Sequence, residues 1–243
     1  MNVLTYHSLD TSDSVISVRP DVFVWQMRRL ASQGYVGVRF DALIDAWAGG
    51  PPLPERAVVI TFDDAYVNVA DHAAPILTEL GFSATIFLPD GKTGGTNDWP
   101  GQDSSIPRLP ILGWSEVREL SDAGFEIAGH TETHPSLPGL TAEQARREVV
   151  DSKKTIEDRI GVPVRTFAYP FGHWDERSVT LVREHYDGAC TAKLGTATDA
   201  DPHLVSRIEM YYLRERGLFR TFQTPLGDAY LGLRAFGRRL RGG

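Results

Sequence analysis

The 243-residue sequence predicts a single-domain parallel α/β barrel. Three observations carry that expectation. Short apolar runs alternate with helix-period segments from end to end, without internal repeat or linker, as β–α units winding one parallel sheet do. Residues 58–62, Val-Val-Ile-Thr-Phe, are nearly unbroken in apolar character, as a parallel strand covered on both faces requires. The same run leads straight into two carboxylates, Asp63 and Asp64, and acids at the C-terminal end of a parallel strand stand at the mouth where barrel active sites are built.

In chain order, residues 3–6 read as the first strand, closed by His7 and Ser8, and the aspartate-rich stretch 10–17 reads as a loop. Pro20 starts an amphipathic helix that carries Phe23, Met27 and Leu30 on one side and stops near Gly34. Residues 35–40 form a second strand, Asp41 is placed to cap a short helix through Trp47, and Gly49-Gly50-Pro51-Pro52 breaks the chain before the central strand. A helix over residues 69–80 and a strand over 84–88 follow. The stretch 90–112, rich in glycine, proline and polar residues, is long for a compact domain and reads as a lid or binding loop, with Asn97 and Trp99 as candidate substrate contacts. A helix over 114–123 precedes the strand 125–128. Thr141, with Gln144 three residues on, is a capping box opening a long helix to Ile160, whose charges (Arg146, Arg147, Glu148, Lys153, Lys154, Glu157, Asp158) read as a solvated face. Strand 164–168, helix 178–186 and strand 188–192 complete the alternation. The predicted organisation is a barrel over 1–225, with its long loop 90–112, and a basic amphipathic tail over 226–243.

Composition excludes some partners. A net charge of −7 argues against nucleic acid. The single cysteine, Cys190, rules out a disulfide framework. No basic-then-apolar leader opens the sequence and no run is long enough to span a bilayer, so the expected location is the cytoplasm. In the tail, Leu231, Leu233, Phe236 and Leu240 are set among Arg234, Arg238, Arg239 and Arg241. This basic amphipathic helix reads first as packing on the barrel, and alternatively as a peripheral membrane contact.

Two adjacent carboxylates do not both ionise cheaply unless a cation or strong donors neutralise one. Residues 129–135, Gly-His-Thr-Glu-Thr-His-Pro, follow the strand 125–128 and set two imidazoles four residues apart. Asp64 with His130 and His134 supplies one oxygen and two nitrogens and leaves a fourth position open, the pattern of a catalytic zinc site rather than a closed structural one. Asp63, beside the ligand, is the candidate general base.

The segments Thr61-Phe62-Asp63-Asp64, His130-Thr-Glu-Thr-His134 and Phe167-Ala-Tyr-Pro170-Phe-Gly172, in that order, resemble the polysaccharide deacetylase family, carbohydrate esterase family four, and the likeness covers residues 3–207. The resemblance implies an irregular, seven-stranded (β/α) barrel in which the first acid of the doublet is the base and the second a ligand. It implies a divalent metal, Zn2+ by default, with Co2+, Ni2+ or Mn2+ as alternatives. Tyr169-Pro170-Phe171-Gly172 would be a tight turn whose Phe171 N–H helps hold the oxyanion. Two departures stand out. The arginine that many members carry two residues before the motif's proline is Ala168 here, and no histidine follows Arg207 where the family often places its general acid. Arg207, closing a barrel strand, is preferred to Arg165 as the replacement arginine. His7, at the end of the first strand, fills the acid's place if barrel closure sets the first and last strands side by side.

The expected function is hydrolysis of an N-acetyl or other N-acyl group from an amino sugar in a glycan or glycoconjugate, with water activated by Asp63. The alternatives are a related hydrolase of a non-sugar C–N bond (cyclic imide, ureide or formamide) and a catalytically silent carbohydrate-binding barrel.

Overall fold

A computed structural model describes residues 1–240, apart from the side chains of Arg239 and Leu240. The tail expectations for those two side chains and for Arg241 lie outside the described residues. In order, the chain forms β1 (Val3–Tyr6), α1 (Pro20–Ser32), β2 (Val36–Val38), α2 (Phe40–Trp47), β3 (Ala57–Phe62), α3 (Val67–Glu79), β4 (Thr85–Leu88), α4 (Trp114–Asp122), β5 (Glu126–Gly129), α5 (Ala142–Arg146), α6 (Ser152–Ile160), β6 (Thr166–Ala168), α7 (Glu176–His185), β7 (Gly188–Leu194), β8 (Val205–Glu209), α8 (Arg216–Phe219) and α9 (Pro225–Leu240).

All strand pairings are parallel, and seven strands close into a ring in the order β1-β8-β7-β6-β5-β4-β3, with β3 returning to β1. The eighth, β2, pairs with the first half of β3, whose second half pairs with β4. This is the seven-stranded (β/α) barrel that the family resemblance implies, and it explains the apolar run in β3. Val58, Ile60 and Phe62 face the surrounding helices, while Val59 faces the barrel interior with Val3, Phe87, Ala128, Ala168, Cys190 and Val205. Period-two alternation along each strand therefore stacks the interior in layers.

The lowest layer holds a carboxylate. Glu126 accepts hydrogen bonds from Thr85 Oγ1 and Thr166 Oγ1, both at 2.5 Å, and from the Asp41 backbone N–H at 3.0 Å. The Phe40 N–H donates to Thr85 Oγ1 at 2.7 Å. The start of α2 is thus satisfied by residues of the barrel floor. The expectation that Asp41 caps this helix is corrected: Arg39 occupies the cap position, and Asp41 lies inside the first turn. Thr141 does form the predicted capping box with Gln144, but the helix it opens is interrupted, because a π turn over Arg147–Asp151 joins α5 to α6.

Burial lifts the Glu126 carboxyl to about 7, with the Asp41 charge adding to the lift. A carboxyl raised on folding stabilises the fold below its unfolded value and loses that contribution as pH rises through the folded one. The stability of the wild type is expected to fall between about pH 4.5 and 7 by up to roughly 3 kcal/mol more than that of Glu126→Gln. Urea denaturation of both proteins at either end of that window checks the difference.

Candidate active site

The upper layer of the interior carries the chemistry. Continuing the alternation one step past the strand ends brings Asp63 after β3, His130 after β5 and His7 after β1 to the mouth, where β8 contributes Arg207 and Glu209. They line a cavity of about 550 Å³, well within the range of small-ligand sites.

Arg207 grips Asp63 with both arms of its guanidinium, Nη1 to Oδ1 and Nη2 to Oδ2 at 2.7 Å each. Its Nε donates to the Thr191 carbonyl at 2.9 Å, and its guanidinium lies over the Phe87 ring, 5.7 Å from the centroid. Burial alone would raise the Asp63 carboxyl, but Arg207, with His7 behind it, holds it below the usual carboxylate range. Asp63 is therefore ionised at neutral pH. Arg165, the other candidate partner, lies away from the mouth, paired with Asp45 and Asp187.

His7 sits between two acids, with Nε2 3.7 Å from Asp63 Oδ2 and Nδ1 3.8 Å from Glu209 Oε1. Burial pulls its pKa down; Glu209, then Asp63 and Asp64, outweigh it and raise the imidazole above its ordinary value. Glu209 is the residue that sequence reasoning missed. Its signal was the alternation itself, since Arg207 and Glu209 two residues apart on one strand must face the same way.

Asp64, His130 and His134 converge in a separate cluster. Asp64 Oδ1 lies 3.5 Å from His130 Nε2 and 3.3 Å from His134 Nε2, and all three residues are buried. Ligand bonds of about 2.0–2.2 Å at tetrahedral angles put ligand atoms about 3.4 Å apart, so the set fits a divalent ion. Asp64 Oδ1 is also a buried oxygen without a hydrogen-bond donor, which a cation would satisfy. His130 Nδ1 stands 2.7 Å from the Ala168 carbonyl; a carbonyl only accepts, so the proton is on Nδ1 and Nε2 presents its lone pair to the cluster. Ala168, where the family's arginine is missing, thereby orients a ligand through its backbone. Burial lowers the His134 pKa, favouring the neutral ring that a ligand must be.

The loops that hold these groups are strained. Asp64, Ala65, Thr131, His134 and Phe171 are non-glycine residues with φ between 53° and 70°, a region that costs roughly 1–3 kcal/mol per residue and persists where the surroundings over-determine it. The surroundings are visible. The His134 N–H donates to Thr131 Oγ1, and Glu148 accepts from the Thr133 backbone and hydroxyl at 2.8 and 2.7 Å. Glu148 therefore braces the histidine loop from the π turn, correcting its reading as part of a solvated face.

The long loop also differs from expectation. Asn97 is fully buried, donating to the Tyr66 hydroxyl and the Pro107 carbonyl and accepting from the Leu109 N–H. It fastens the loop and does not reach the cavity, so the reading of Asn97 as a substrate contact is corrected. Trp99 lines the cavity but is 4% exposed and stacks on His134 with ring centroids 4.2 Å apart. Its face is already occupied by the His134 imidazole, so it steadies the site and offers no open sugar platform. Phe171 meets His134 edge-on from another side at 4.6 Å. Tyr169 and Gly172 line the cavity and Pro170 is buried beneath the turn. Gly172 has φ 71° and a Cβ there would come within 2.3 Å of Ala192 Cβ, so glycine is required on two counts.

A closed parallel barrel thus carries a buried carboxylate and an Asp–His–His set that could hold a metal ion at its C-terminal mouth, the end where barrel enzymes build their active sites. The sequence profile described as polysaccharide deacetylase matches residues 50–186. The Bacillus subtilis protein YxkH, itself assigned to the polysaccharide deacetylases, is 28% identical over 197 residues, spanning 81% of this chain and 66% of its own. A poly-β-1,6-N-acetyl-D-glucosamine N-deacetylase of Escherichia coli is 30% identical over 135 residues, 53% of this chain and 20% of that one. The chain thus spans just under two thirds of the first relative and a fifth of the second. The structure of the Streptococcus pyogenes deacetylase PplD superposes with a TM-score of 0.76 at 22% identity, over 86% of this chain and 91% of that one, a likeness of fold. The chain belongs to the polysaccharide deacetylase family.

Removing one member of a buried ion pair leaves the other charge uncompensated. Arg207→Met is expected to destabilise the fold by about 3–5 kcal/mol near neutral pH. The double variant Arg207→Met with Asp63→Asn loses less, because no buried charge remains. The single variant's deficit shrinks in acid as Asp63 takes up a proton. Urea denaturation of the three proteins checks each statement.

Proposed function

We propose that the chain hydrolyses the N-acetyl amide of an amino sugar within a glycan, with linked N-acetylglucosamine as the substrate class to which the Escherichia coli relative's name points. The observation that carries this reading is a carboxylate held low and an imidazole raised in pKa, Asp63 and His7, 3.7 Å apart at the edge of the Asp64–His130–His134 set. Those three residues would hold a divalent ion, zinc by the softness of two imidazoles with one carboxylate, and such an ion supplies polarisation of the amide carbonyl and acidification of water.

The chain's own residues divide the proton work. Asp63, fixed by the two-armed contact with Arg207, accepts a proton from the attacking water. His7, its hold on a proton strengthened by Glu209 and Asp63, donates to the amine nitrogen as the C–N bond breaks, releasing acetate and a free amino sugar. The Phe171 amide, on the left-handed turn at the cavity wall, is the donor assigned to the developing oxyanion. The two sequence departures that favoured a silent barrel weigh less against this arrangement: an arginine does pair with Asp63, and a histidine does stand beside it.

Zinc-loaded protein is expected to release acetate from N-acetylglucosamine oligomers, with Asp63→Asn reducing turnover by about 10²–10⁴-fold. Release from no oligomer by metal-loaded protein would move the reading to another acyl group or a non-sugar C–N bond. Turnover is also expected to decline as pH rises through the raised His7 pKa, since the donor is then lost. In His7→Ala that alkaline decline disappears and the residual rate is lower. A pH–rate profile of the two proteins reads this directly.

A further inference from the structure

One wall of the cavity is built by the chain after β8. Tyr211 and Tyr212 follow that strand and line the cavity together with Arg238 of α9. All three lie beyond residues 50–186, the span that the family profile matches. Helix α9 is held along one line of its surface. Tyr230, Arg234 and Arg238 recur every four residues and so share a face. The Tyr230 hydroxyl donates to the Tyr212 carbonyl at 3.1 Å, and the Arg234 guanidinium lies over the Tyr212 ring, 5.1 Å from its centroid. These two holds on Tyr212 carry the third residue in line, Arg238, to the cavity.

The arginines after β8 differ in what holds them. Arg214 donates to the Asp13 and Ser14 carbonyls, Arg216 pairs with Asp21, and Arg220 and Arg234 lie over aromatic rings. Arg238 meets no carboxylate, carbonyl or ring among the described residues, yet of these arginines it is the one that lines the cavity. The acids that line the cavity are engaged elsewhere. Asp63 is held by Arg207, Glu209 faces His7, Asp64 faces His130 and His134, and Asp103 accepts from the Ser105 N–H at 2.8 Å within its own turn. A guanidinium therefore stands at the cavity without a counter-charge. Closing a neutral chain over it strips water from the cation and returns no opposite charge. A carboxylate or phosphate returns one, in a geometry that the planar fork of an arginine matches.

We propose that Arg238, with Tyr211 and Tyr212 beside it, is a subsite for an anionic substituent, a carboxylate or a phosphate ester, on a sugar unit next to the one that carries the amide. The subsite rests on the reading of the substrate as a glycan and adds a charge that sorts glycans: chains with an acidic unit are preferred to neutral chains of the same linkage. Arg238 stands apart from the proton transfers assigned to Asp63 and His7, so its contribution is read in binding and in KM.

Titration calorimetry on the metal-free chain and acetate release by the zinc-loaded chain test the subsite and the reaction separately. Both use N-acetylglucosamine oligomers in which the neighbouring unit is neutral, is a uronic acid, or carries a phosphate ester. At least one charged oligomer is expected to bind about tenfold more tightly than the neutral one, with KM lower to match, and the gap narrows as salt is raised. Whichever anion gains more identifies the substituent. Arg238→Gln brings the charged-to-neutral ratio to within about twofold of one, and Arg238→Lys, which keeps the charge without the fork, retains part of the preference. Both variants leave the melting temperature unchanged. Equal or undetectable binding of all three oligomers overturns the subsite, and so does a preference that survives Arg238→Gln. A binding preference without acetate release from any oligomer keeps the subsite and overturns the reading of the reaction.

Discussion

The arrangement at the barrel mouth depends on the ion pair between Arg207 and Asp63. It joins β8 to the end of β3, and β1 is the strand that lies between them. A residue at the C-terminal end of β1 is consequently flanked by β3's acid on one side and β8's acid on the other, which is where His7 stands. The pair is worth having only if it is complete. A buried guanidinium or carboxylate alone is heavily penalised, whereas the two-armed contact, the Thr191 carbonyl and the Phe87 face together satisfy the cation. Barrel closure thus fixes the protonation state of Asp63 as well as its position.

The loops above this rigid layer are held differently. Five left-handed non-glycine residues follow the ends of β3, β5 and β6, and each would relax if its supports were removed. Those supports come from far along the chain. Leu112 donates its N–H to the Ala65 carbonyl, Trp99 and Phe171 hold His134 between them, and Glu148 ties down Thr133 from the π turn. The segment 90–112 accordingly behaves as a strap on the ligand cluster, pinned at Asn97 and at the bridge between Tyr66 and Ile111.

The barrel was legible because its strands announce themselves locally: Val58 to Phe62 and residues 3–6 are apolar on both faces, and the helices between them carry a one-sided apolar period. Asp63, Asp64, His130 and His134 were legible as a cluster because each follows such a strand directly. Arg207 could be picked over Arg165 for the same reason, one closing a strand and the other preceding one. What the sequence hid depends on closure and on side-chain direction. Glu209 and Glu126 are charged residues in strands whose inward face shows only once the ring is built. Asn97 and Trp99 looked like substrate contacts because donors and aromatic faces suit that role, and nothing local reveals that Tyr66 and His134 already occupy them. Glu148 sits at a helical position whose direction was changed by a π turn that residue propensities do not signal.

Two interior carboxylates show why the chemistry belongs to one end of the barrel. Glu126 and Asp63 are both buried and both face inward, yet burial lifts the first to about 7 while the second is held below the ordinary range. The difference lies in the partners. Neutral hydroxyls of Thr85 and Thr166 and a backbone N–H cannot offset the loss of hydration, whereas the guanidinium of Arg207 more than offsets it. The floor is also sealed by α2, whose Phe40, Leu43 and Ile44 pack against the interior layer. Glu126 can exchange a proton there but meets no substrate. At the mouth the strands end, the loops stand apart, and a cavity opens over a carboxylate held below its ordinary range and an imidazole raised above its own. A pair of groups driven in opposite directions by their surroundings is what acid–base hydrolysis requires, and among the described residues such a pair stands where β3, β1 and β8 lie side by side.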